Sequence, residues 1–156
     1  MNYRIGKLVA RIHESSHKWL AGELASAGLH GLAPSHGDVL AYLFWNGEAS
    51  MHELADFARR TRPTMTVLVD KMEELGLVSR RKSESDTRSQ IVSLTPQGEA
   101  LRPAFEDISK RFVARLYDGI GEKAALAVEK TLSKILSNLE DKPSKPIRRK
   151  AKENKK

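Results

Sequence analysis

Apolar residues recur along this chain at two periods, and the switch between them marks its most informative stretch. Met65, Leu68, Val69, Met72 and Leu75 return every three or four residues, the spacing that gathers side chains on one helix face. Thr61 precedes this stripe as a candidate N-cap. Arg62 and Pro63 fall in the first turn, where proline forfeits no hydrogen bond, and Gly76 is placed to end the helix. The opposite face carries Thr64, Thr66, Val67, Asp70, Lys71 and Glu74. Leu77 to Lys82 and Ser89 to Leu94 then read as two short strands. The loop between them, SESDTR, is too long for a two-residue turn and is expected to project.

The rest of the chain keeps the helical period. Ile5, Leu8, Val9, Ile12, Trp19, Leu20 and Leu24 predict a long helix over 3–27, broken by Gly28 to Gly31. Pro34 and Ser35 open a second helix, with Ser35 and Asp38 fitting an S-x-x-D capping pattern and Val39, Leu40, Leu43 and Phe44 as core. Ser50 and Glu53 form another such pattern before a short helix, MHELADFARR, in which Leu54, Phe57 and Ala58 are expected to face inward. A turn at Arg59 to Thr61 joins it to the helix above, making a helix-turn-helix whose second member suits the major groove of DNA. After Gly98 the chain is helical again: Phe105, Ile108, Phe112 and Leu116 share a face, Gly119 and Gly121 break it, and Val128, Leu132, Ile135 and Leu139 form a last stripe. The predicted fold class is mainly α with a small β-hairpin wing.

Length bounds this picture to one domain, over residues 1–141, of the 156 present. A winged helix over about 35–95 is of a size at which burial is marginal. The outer helices, 3–27, 96–118 and 122–139, carry more apolar stripe than it can cover, which favours packing against a second copy. With no cysteine, disulfides, thiol redox sensing and Cys-ligated zinc are excluded. No apolar run approaches the ~20 residues that span a bilayer, and the opening MNYRIGKLVARIHESS has no apolar core of a secretory signal, so the expected location is the cytoplasm of a prokaryote, without a membrane partner.

The formal charge of +7 is unevenly spread. Residues 142–156 hold eight Lys or Arg against Glu153 alone, whereas 1–141 hold nineteen of each sign. Pro143 and Pro146 end regular structure, and this basic tail is expected to be disordered. The pI therefore reflects the tail, and a better sign of nucleic-acid binding is the local balance from Arg59 to Arg88, eight basic residues against five acids.

Three segments in order, PTMTVLVDKMEELGLVSR, DTR and VSLTPQG, resemble the recognition helix, the D-x-R wing signature and the LT-x-x-G helix opening of the MarR family of winged-helix regulators. The resemblance implies a winged helix-turn-helix flanked by N- and C-terminal dimerisation helices, about 3–27 and 96–139, and a homodimeric repressor. Two-fold symmetry would match a palindromic operator with half-sites about one turn (~10 bp) apart. Arg62, Thr64, Thr66 and Lys71 offer donors to DNA from the recognition helix. Val67, where many members carry Arg, can meet a thymine methyl. In the wing, Asp86 would orient Arg88 for the minor groove, while Arg80, Arg81 and Lys82 are phosphate contacts or solvated charges. By the same analogy a small molecule, often an aromatic or phenolic acid, would bind between the dimer helices and the winged helix and release the operator.

Other readings are weaker. His13 and His17 sit four apart on the first helix but lack a third ligand, so no metal is expected; His30, His36 and His52 show no pattern. Trp19 is read as dimer core. No nucleophile elbow, zinc-protease motif or phosphate-cradling loop is present, so neither an enzyme nor a cofactor is expected. The rivals are an architectural DNA-binding protein, which the tail suits, and a winged helix that binds protein.

Overall fold

The computed structural model describes residues 4–83 and 89–140, and the basic tail expected over 142–156 lies outside them. The described residues divide into two compact units, with the boundary between Val113 and Ala114. In the first unit, helix α1 (Arg4–Ser26) leads through a 3-10 turn (Pro34–His36) into α2 (Gly37–Asn46). A short strand β1 (Glu48–Ser50) follows, then α3 (Met51–Phe57), α4 (Arg62–Glu74), strands β2 (Val78–Lys82) and β3 (Gln90–Leu94), α5 (Pro96–Glu99) and α6 (Arg102–Leu116), whose end enters the second unit. The strands form an antiparallel sheet in the order β1-β3-β2, with Ala49 opposite Val92 and Arg80 opposite Val92 on its other side.

The apolar periods converge on one core. Val39, Leu40, Leu43 and Phe44 from α2 meet Leu54 and Ala55 from α3, Met65, Val69 and Met72 from α4, and Ala49, Val78 and Val92 from the sheet. Capping explains where the short helices start. The Ser50 hydroxyl accepts the Glu53 amide at 3.2 Å while Glu53 accepts the Ser50 amide at 2.7 Å, the reciprocal capping box expected there. Backbone hydrogen bonding draws the Glu53 carboxyl below its ordinary pKa. Thr61 caps α4, and Gly76, at φ +71°, ends it with its amide on Glu73 O and that of Leu77 on Met72 O. The turn between α3 and α4 places Arg59 at φ +52°, a left-handed conformation that side chains adopt at a cost of roughly 1–2 kcal/mol.

Gly76 and Leu77 are also tied to the start of α5. The Thr95 amide donates to Leu77 O at 3.0 Å, the Thr95 hydroxyl donates to Gly76 O at 2.6 Å, and that hydroxyl accepts the Gly98 amide at 3.1 Å. The LT-x-x-G segment thus fastens the end of α4 to the exit of β3. Arg102 fastens the next joint: its guanidinium lies 4.6 Å from the Phe44 ring centroid and donates to Phe44 O at 2.8 Å, satisfying a carbonyl near the end of α2.

Several expectations need correction. The helix foreseen over 96–118 is two, because the chain turns at Ala100 and Leu101 between α5 and α6. The Ser35–Asp38 capping pattern is not used; the Ala33 amide instead donates to His36 Nδ1 at 2.9 Å. Phe57 does not face inward: it is 44% exposed, edge-on to Tyr42, and Ala55 takes the inward place. Strand β1 was not foreseen, since three residues with one buried side chain leave no period to read.

In the second unit, Gly119 at φ +72° turns the chain into α7 (Glu122–Glu140), and the Tyr117 hydroxyl donates to Glu129. Helix α7 has no buried residue, and Leu132, Ile135, Leu136 and Leu139 lie exposed along it. At the start of α1, Ile5, Leu8, Val9 and Ile12 are likewise exposed. Among the described residues no helix is long and apolar enough to cross a membrane.

Candidate nucleic-acid interface and ligand cavity

Helix α4 has two faces with different duties. Met65, Val69 and Met72 are completely buried and fix its position. Arg62, Thr64, Thr66, Val67 and Lys71 all lie exposed on the other side. The Thr66 hydroxyl donates to Arg62 O at 3.0 Å, the Thr64 and Thr61 hydroxyls are 2.9 Å apart, and Lys71 Nζ is 3.1 Å from Glu74. These are local bonds that an incoming acceptor can replace at little loss. Val67 is 67% exposed, an apolar side chain in the middle of a polar face.

The wing strands resolve the open question about their three cations differently for each. Arg80 is neither solvated nor available to phosphate: its guanidinium is 2.7 Å from Asp70 and also grips Glu73, both on α4. These two carboxylates raise the guanidinium pKa, Glu73 most. The clamp pins β2 to α4 and offsets one of the two acidic charges beside the exposed donors. Arg81 lies across the sheet from β1 and donates through one amino group to both oxygens of Glu48, at 3.0 and 3.2 Å. It is half-exposed, and Lys82 is exposed. The hairpin closes with Ser83 N donating to Ser89 O at 2.9 Å; Asp86 and Arg88, the two wing residues of the expected site, lie outside the described residues.

A second feature was not legible in the sequence. Between α1, the start of α2 and α6 lies a cavity of about 260 Å³, just below the roughly 300 Å³ at which ordinary ligand pockets begin. Leu20 and Leu24 form one wall, Phe105, Ile108 and Phe112 another, and the 3-10 turn with His36 a third. The walls are tied outside it: Trp19 packs on Phe112 with centroids 5.7 Å apart, and Arg111 of α6 bridges Glu23 of α1. The stripe positions were readable as core, but not that they leave space unfilled.

His36 is the buried polar residue of this region, only 6% exposed. Accepting the Ala33 amide at Nδ1 requires that nitrogen to be unprotonated. Burial lowers the imidazole pKa, with Lys71 adding in the same direction against the Ala33 backbone. A histidine held neutral makes stability rise with pH where the unfolded chain binds the proton and the folded chain does not. Lowering pH through the ordinary value of 6.5 should therefore reduce the unfolding free energy, levelling off below the depressed folded-state value. An asparagine side chain would keep an acceptor near the Ala33 amide without titrating, so His36→Asn should flatten this part of the profile. Equal pH dependence of denaturant midpoints in the two proteins, between pH 8 and 5, would refute the assignment.

The His13 and His17 rings stack 4.3 Å apart, and among the described residues no three His, Cys, Asp or Glu side chains gather as metal ligands would.

Comparison with known proteins bears on the fold and its helix-turn-helix. Residues 32–90 match the family model described as MarR family. The chain is 32% identical over 106 residues to the HTH-type transcriptional regulator FarR of Neisseria gonorrhoeae, a match covering 66% of this chain and 70% of that protein. It is 29% identical over 102 residues to the HTH-type transcriptional repressor IacR of Pseudomonas putida, covering 65% of this chain and 61% of that protein. Its fold is similar to that of MepR of S. aureus in a DNA complex, with a TM-score of 0.79 at 24% identity over 88% of this chain and 98% of that one.

Proposed function

Because the chain belongs to the MarR family, we propose that it is a sequence-specific transcriptional repressor that grips a palindromic operator as a homodimer and is released by a small molecule. One observation carries the DNA-binding part: α4 is locked by a fully buried face while Arg62, Thr64, Thr66, Val67 and Lys71 stand exposed on the other. Such a helix presents donors and one wholly apolar side chain to base edges. The bare stripes of α1 and α7 favour a second copy as their cover, since exposed apolar faces of this kind mark association surfaces. The cavity beside His36 is the effector site in this reading. The relatives are named as a regulator and a repressor, and a protein of the same fold was crystallised on DNA. A repressor acting on operator DNA works in the cytoplasm.

Selection of bound genomic fragments, followed by titration against the selected and a random duplex at physiological salt, tests the reading. Discrimination below about 10³ would favour an architectural role instead. Arg88→Ala in the wing should weaken operator binding by about 1–3 kcal/mol, the range for a specific Arg contact, with random DNA affected less. Asp86→Ala should cost less, and little when added to Arg88→Ala. Parent-like operator binding by Arg88→Ala would remove the wing from the interface.

A further inference from the structure

The chemistry of the cavity limits what it can hold. Of its lining, only His36, Asp38 and Ser109 are polar; neither Lys nor Arg borders it. A carboxylate entering such a space would be desolvated without a cation to compensate, and the Asp38 carboxylate at its edge would repel it. The one strong donor is imidazole. His36 Nδ1 lies 2.9 Å from the Ala33 amide, which can only donate to it, and 3.2 Å from Ala33 O; the shorter, amide-donated contact favours the neutral ring with its proton on Nε2. Among the described residues Nε2 has no hydrogen-bond partner, and no fully buried side-chain nitrogen or oxygen is left unsatisfied. Nε2 is therefore not fully buried, and His36 is one of the residues that line the cavity.

We propose that this cavity selects an uncharged, lipophilic small molecule bearing a hydrogen-bond acceptor that takes the Nε2–H of His36, and that it rejects carboxylates. The inference rests on the reading of the chain as an effector-controlled regulator, and it departs from the aromatic or phenolic acid that family analogy implies. Phe105 and Phe112 supply flat apolar walls for a ring or short chain, and the acceptor is the polar group assigned to His36.

The probes are acetophenone, benzoate and isopropylbenzene, which are matched in size and differ in charge and acceptor. Each is titrated into the full chain at pH 7.5 and followed by amide spectra and by the ring nitrogens of His36. Acetophenone should bind at least about tenfold more tightly than benzoate. Acetophenone, but not isopropylbenzene, should shift the protonated His36 nitrogen. In His36→Asn the preference for acetophenone over isopropylbenzene should fall about three- to tenfold, the worth of one neutral hydrogen bond. Benzoate binding as tightly as acetophenone overturns the proposal, as does a His36 nitrogen that ignores acetophenone, or the absence of cavity shifts with every probe. The first two readouts use the parent protein and survive a misfolded variant. Operator binding by the same samples separates the two levels: a failed ligand class leaves operator discrimination intact, whereas a failed regulator reading abolishes discrimination whatever the probes do.

Discussion

Gly98→Ala should destabilise the protein by about 3 kcal/mol or more, enough to lower its unfolding midpoint sharply or keep it from accumulating. A Cβ at this position would lie 2.0 Å from Leu77 O and 3.0 Å from the carbonyl carbon. Neither is a side-chain tip that can rotate away. Leu77 O is the oxygen that receives the Thr95 amide, and Thr95 in turn caps α5 and holds Gly76 O. Relieving the clash means parting the end of α4 from the exit of β3, with loss of the hydrogen bonds between them. Gly22→Ala is the matched control. Gly22 lies inside α1 with nothing within 4 Å of its added methyl, so the change should stabilise by roughly 0.5–1 kcal/mol through helix propensity. Urea unfolding of the three proteins decides it. A Gly98→Ala midpoint equal to the parent's would mean the contact relaxes freely.

Leu132→Asp or Ile135→Asp should cost the dimer at least ~2 kcal/mol at each of two symmetry-related positions and lower operator affinity accordingly, though neither residue is expected to touch DNA. In the single chain Leu132 is 41% and Ile135 38% exposed, on a helix that buries nothing of its own. Their cover is another copy in the proposed assembly, so a carboxylate there must be desolvated or the copies must separate. Lys134→Asp places the same charge off the apolar stripe of α7 and should leave both assembly and operator binding near parental values. Sedimentation read beside an operator titration supplies the check. A dimeric Leu132→Asp protein with parental affinity would place the interface elsewhere.

The helix-turn-helix was legible because its signals are local. The stripe of α4, the Thr61 cap, the Gly76 stop and the Ser50–Glu53 box each lie within one helix and its ends. What escaped depends on distance. Arg80 looked like one of three equivalent wing cations, yet only tertiary structure brings it to Asp70 and Glu73. Likewise, Ser35 was a fair cap by sequence spacing, but the 3-10 turn gave that work to a histidine ring with no periodic signature. The cavity follows from side chains correctly read as inward-facing whose summed volume does not fill the space between three helices. Within the candidate DNA interface, exposure of the α4 residues followed from period alone, whereas the state of Arg80 did not.

The division of α4 into a buried and an exposed face separates two kinds of change. Thr64, Val67 and Lys71 are exposed and stand apart from the core residues of α4, and surface substitutions of that kind usually shift stability by no more than about 0.5 kcal/mol. With these residues reading the operator, as proposed, target preference could be rewritten one residue at a time on an unchanged scaffold, at a small folding cost per step. With the cavity as the effector site, as proposed, a lineage carrying this helix could retune which promoters it silences faster than what it senses, because the cavity lining is also packing.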